Sequence, residues 1–101
     1  MPTKPELERA LEQRCVAKVE ARGGLALKLR PPTGRGFPDR TILVAGHEPI
    51  VFFIEFKRSK TGAVSTQQHK WRTLLFQAGF KTYFVDSDEK FEAALKAEGV
   101  W

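Results

Sequence analysis

Apolar residues recur at helical spacing near the start of the chain, at strand spacing through its middle, and at helical spacing again in two later stretches. Leu7, Leu11, Cys15, Val16 and Val19 cover an arc of roughly 180° at about 100° per residue. They predict a helix from Pro5 to Arg22, with Thr3 as N-cap, Pro5 in the first turn and Gly23-Gly24 as the stop. A short strand follows, Leu25 to Arg30. The β-branched and aromatic runs Arg40–Ala45 and Ile50–Lys57 flank Gly46-His47-Glu48-Pro49 and predict a hairpin. A second helix is expected from Thr66 to Ala78, capped by Ser65 and stopped by Gly79, with Trp71, Leu74, Leu75 and Ala78 facing inward. Lys81–Val85 reads as a further strand, and Glu89–Glu98 as a last helix capped by Ser87 or Asp88 and stopped by Gly99. The order of helix, three strands, helix, strand and helix predicts an α/β fold. Its mixed sheet is flanked by helices, and the Lys81 strand runs parallel to the Ile50 strand because a helix crosses between them.

Several polar residues break these patterns. The Ile50 strand is apolar on both faces, which suits a central strand, yet it ends in Glu55-Phe56-Lys57. Glu55 and Lys57 share a face by strand alternation, and burying them needs compensation. If Ala45 faces Ile50, Asp39 falls opposite Phe56 and beside Glu55. Cross-strand neighbours lie about 5 Å apart and diagonal ones about 7 to 8 Å, so both carboxylates could reach one cation such as Mg²⁺. In the first helix, Glu8 and Glu12 lie inside the apolar arc, where either could face such a site. In the second, Gln67 falls on the inner face and Gln68 at its edge.

Composition narrows the classes further. The chain has 101 residues, 42% of them hydrophobic, enough for a single domain with one core over 1–101. No apolar run reaches the roughly 20 residues of a membrane span and no signal peptide opens the sequence, so a cytoplasmic protein is expected. Cys15 is the sole cysteine, and with only His47 and His69 beside it neither a disulfide nor a zinc cluster can be assembled. The net charge is +5. Lys28, Arg30, Arg35 and Arg40 gather around Asp39, and Arg58 and Lys60 follow Glu55, a collar that favours a polyanion.

Gly36-Phe37-Pro38-Asp39-Arg40, Glu55-Phe56-Lys57, the Gln67-Gln68 pair and Glu8-x-x-Leu11-Glu12 closely resemble the VRR-NUC domain, the virus-type replication-repair nuclease branch of the PD-(D/E)XK superfamily. The likeness spans nearly the whole chain. It implies a restriction-endonuclease-like αβββαβ core with an added C-terminal helix. It also implies a metal-dependent endonuclease, with Asp39 and Glu55 as ligands of Mg²⁺ or Mn²⁺ and the Phe56 carbonyl as a further ligand. Lys57 would position the attacking water, Glu8 by pattern would complete the metal environment, and Gln67 or Gln68 would be the family's glutamine. Arg30, Arg35, Arg40, Arg58 and Lys60 would then contact DNA. Stand-alone members of this size imply a homodimer that cuts four-way DNA junctions. The alternatives are a nicking or restriction-type nuclease, and a non-catalytic DNA-binding module.

Overall fold

The computed structural model describes residues 4–32, 35–57 and 65–100. The expected N-cap Thr3, the basic residues Arg58 and Lys60, and Trp101 lie outside them. Helix α1 spans Lys4–Ala21 and buries Leu11, Cys15 and Val19 at i, i+4, i+8 spacing, one row of the apolar arc. Gly24 follows its end with no room for a side chain. A Cβ there would lie 2.9 Å from both the Leu43 carbonyl and Val19 Cγ1, so the chain turns directly against the sheet.

Strand β1 is confined to Leu25–Leu27, shorter than expected, which leaves Lys28 to Arg30 in the following loop. Strands β2 (Arg40–Val44) and β3 (Ile50–Phe56) form the hairpin, helix α2 covers Thr66–Gln77, β4 covers Thr82–Val85 and α3 covers Asp88–Ala97. The sheet has the order β1-β2-β3-β4, with the first two pairings antiparallel and β3 parallel to β4. Strand β3 is therefore central, as its apolar faces suggest.

The hairpin register is one residue away from the simplest expectation. Val44, not Ala45, pairs with Ile50, so Arg40 pairs with Ile54 and the next step outward sets Asp39 against Glu55. Ala45 is exposed and belongs to the turn, which is one residue longer than the break in the apolar pattern implied.

The core lies on one face of the sheet, where Ile42, Phe52, Ile54 and Phe56 meet α1 and the Phe91, Ala94 and Leu95 face of α3. The Cys15 thiol is buried there, and desolvation pushes its pKa up to about 12, in keeping with an apolar role. Helix α2 covers the other face and buries none of its own residues. Its Ser65 cap forms a reciprocal capping box with Gln68. Trp71 and Leu75 are half-buried, whereas Leu74 and Ala78 are exposed. The inward row is thus Gln68, Trp71, Leu75, rotated from the one that placed Gln67 inside. No helix among the described residues is long and apolar enough to cross a membrane.

Candidate functional site

Asp39 leaves the loop at the open end of β2, and Glu55 is the penultimate residue of β3, so the register brings their backbones side by side. The Asp39 N–H donates to Glu55 Oε1 at 3.2 Å, and the Phe56 N–H donates to Asp39 Oδ2 at 2.8 Å. Each carboxylate is thus anchored by the other residue's strand. Glu55 is only 6% exposed. Its second oxygen accepts the Gln68 amide N–H and lies 3.9 Å from Lys57 Nζ.

Burial sets the electrostatics. Desolvation, reinforced by the Asp39 carboxylate, pushes Glu55 up to about 7, against the opposing pull of Lys57 and its hydrogen bonds. Asp39 is also raised, first by burial and then by Glu12 and Glu8, while the Phe56 N–H and Lys57 act the other way. Two adjacent carboxylates that resist ionising together are a donor set that a small divalent cation would relieve, and all-oxygen donors suit Mg²⁺ or Mn²⁺. Among the described residues no group of three or more His, Cys, Asp or Glu side chains is placed to hold an ion by itself.

The helix-one glutamates divide. Glu8 is half-buried and lines a cavity of about 330 Å³ together with Asp39 and Phe56. Glu12 lines it too, but its Oε2 accepts Arg40 Nε at 2.6 Å and lies 3.8 Å from Lys28 Nζ. Arg40, expected among the DNA contacts, is instead drawn inward, with Nη1 donating to the Ala26 carbonyl at 2.9 Å. Arg30 and Arg35 are exposed and line a larger cleft of about 520 Å³ that also includes Lys28 and reaches Asp39. Of the two glutamines, Gln68 faces Glu55 and Gln67 is exposed.

Sequence reasoning passed over the join between the Gly36–Asp39 loop and α2. Gly36 has φ +85°, and a Cβ on it would lie 2.5 Å from Gln67 Cβ and 2.8 Å from the Gln68 backbone nitrogen. Phe37 sits edge-on to Trp71, with ring centroids 5.1 Å apart, and to Phe53 at 5.7 Å. The signal was present in the run Gly34-Arg35-Gly36, where a glycine one residue before an aromatic marks a close backbone approach.

The sequence matches no protein-family model, and no curated protein matches it. A search of solved structures does find a likeness, to a chain described as "VRR_NUC domain", with a TM-score of 0.77 and 20% identity over 89% of this chain and 95% of that one. The chain therefore has the fold of that VRR_NUC domain, three helices around a four-stranded mixed sheet.

Proposed function

We propose that this chain, built on the VRR-NUC fold, is a Mg²⁺- or Mn²⁺-dependent endodeoxyribonuclease that hydrolyses phosphodiester bonds in branched DNA, four-way junctions among them, as a homodimer. The observation that carries the reading is the interlock of Asp39 and Glu55 at the end of the hairpin, with Lys57 Nζ 3.9 Å from Glu55. The pair sits beside a cleft edged by Lys28, Arg30 and Arg35. Asp39 and Glu55 would hold the ion with the Phe56 carbonyl, and Glu8 would shape the remaining coordination. When bound, the ion polarises the phosphate and makes a water acidic enough to supply hydroxide near neutral pH.

The chain's own residues do the rest. Lys57 orients the water and offsets charge building on the phosphate oxygens. Gln68 fixes the Glu55 carboxylate through its amide. Arg30 and Arg35 hold the DNA backbone, joined by Arg58 and Lys60. A twofold pair of such sites suits a symmetric junction, because two strands must be cut.

A cleavage panel tests this: four-way, flap, nicked and linear DNA of matched sequence, each with Mg²⁺, with Mn²⁺ and with EDTA, alongside the protein's mass in solution. The expected result is ion-dependent cutting strongest on the junction, by a dimer. Folded protein that cuts none of these substrates with either ion would overturn the nuclease reading. Preference for nicked or linear DNA would overturn the junction assignment alone.

A further inference from the structure

Arg40 follows Asp39 directly and opens β2, but it is not among the residues lining the larger basic cleft. Its guanidinium reaches two other elements. Nε donates to Glu12 Oε2 on α1 at 2.6 Å, and Nη1 donates to the Ala26 carbonyl on β1 at 2.9 Å. The Arg40 and Glu12 side chains are only 19% and 14% exposed. A sheltered ion pair with a carbonyl as third partner is costly to break from one side, because the remaining charge is left without its counterpart. The planar fork also holds a direction that a lysine could not. Three elements are therefore tied together at the strand end from which Asp39 emerges.

Glu12 and Arg40 are each accounted for by the other. Glu12 also has Lys28 Nζ at 3.8 Å, so its charge is answered from two sides. Glu8, one turn earlier, lines the cavity shared with Asp39 and Phe56, and the Glu12–Arg40 pair forms part of the wall of the same cavity.

We infer that Glu12 and Arg40 form a positioning clamp that fixes helix α1 and the Asp39 strand end relative to each other, and that they act neither as a metal ligand nor as a phosphate contact. The clamp rests on the nuclease reading in taking Asp39 as the group whose placement matters. A phosphate contact and a clamp make opposite demands. Removing a phosphate contact reduces the salt dependence of DNA binding by about one unit of slope. Loss of a clamp leaves that slope alone and weakens what Asp39 does, by about 10- to 100-fold for a residue supporting a metal ligand.

The test uses Arg40→Lys, Arg40→Gln, Glu12→Gln and the double variant Glu12→Gln/Arg40→Gln in the full chain. Three readouts are compared: DNA affinity against salt in EDTA, calorimetric titration of Mn²⁺ alone, and kcat and KM for junction DNA with Mn²⁺. The clamp predicts unchanged salt slopes and KM, and kcat and Mn²⁺ affinity each reduced about 10- to 100-fold in Arg40→Lys and in Glu12→Gln. The double variant should be no worse than the more impaired single one. A slope reduced by about one in Arg40→Gln, with kcat intact, would make Arg40 a phosphate ligand and overturn the clamp. Loss of Mn²⁺ binding in Glu12→Gln but not in Arg40→Lys would make Glu12 a metal ligand and overturn it equally. If Arg40→Gln fails to fold, Arg40→Lys and Glu12→Gln still decide through the other two readouts: kcat and Mn²⁺ affinity fall in both if the pair is a clamp, whereas a raised KM with both intact in Arg40→Lys would make Arg40 a phosphate contact. Wild-type protein that cuts no DNA would remove the nuclease reading, while the Mn²⁺ titration and salt slope would still judge the clamp.

Discussion

The two faces of the sheet are built on different principles. On one, Phe52, Ile54, Phe91 and Leu95 are essentially inaccessible to water, and α1 and α3 close over them. On the other, α2 buries nothing of its own, Thr41 and Thr82 keep buried hydroxyls without hydrogen-bond partners among the described residues, and Glu55 stands in the sheet with a raised pKa. The first face holds the fold together and the second holds groups that cost stability. Placing the acidic pair on the less tightly packed side lets a rigid layer position carboxylates that a well-packed core would exclude.

Phe91→Ala, on the dry face, should destabilise the protein by about 3–5 kcal/mol in denaturant unfolding; a loss under about 1 kcal/mol would show that this face is not the main support. Glu55 should act in the opposite sense. Its folded pKa is raised from 4.5 to about 7, so the folded state binds the proton more tightly. That contribution is full below pH 4.5 and is lost as pH rises through about 7. Metal-free protein should therefore lose about 2–3 kcal/mol of stability across this window, and Glu55→Gln should flatten the loss. An unchanged pH profile in the variant would assign the burden elsewhere.

Gly36→Ala tests the seam between the loop and α2. A methyl group there meets the Gln67 and Gln68 backbone at a positive φ, so a loss of more than about 1 kcal/mol is expected by thermal unfolding, with weaker Mn²⁺ binding. Phe76, 69% exposed on the outer side of α2, marks the small end of the scale. Phe76→Ser should change stability by no more than about 0.5 kcal/mol, and a larger loss would mean that α2 is packed more firmly than its exposure indicates.

Most of the fold could be read from periodicity and punctuation. Three helices, the hairpin, the central β3 and the parallel β4 follow from runs bounded by Ser65, Ser87, Gly23, Gly79 and Gly99. What escaped was fine geometry. The hairpin register depended on whether Ala45 belonged to the strand or the turn, and the inner face of α2 on a rotation that put Gln68 rather than Gln67 toward Glu55. An amphipathic reading fails on α2 because no apolar residue there is fully buried, and its orientation rests on the Gln68 contact, the glycine approach and the single Phe37–Trp71 ring contact. At the site, the Asp39 and Glu55 neighbourhood was legible because strand pairing tolerates an error of one residue. The inward turn of Arg40 was not, since a basic residue beside an acidic one reads equally well as a collar.

The role of the acidic pair is decided by comparing wild type with Asp39→Asn on one junction DNA, scoring cleavage with Mn²⁺ and affinity in its absence. Cutting should disappear while affinity is equal or higher, because a half-buried carboxylate that would repel the phosphate has been neutralised. Cleavage that survives the substitution would contradict the assignment of the Asp39–Glu55 pair as the metal-binding centre.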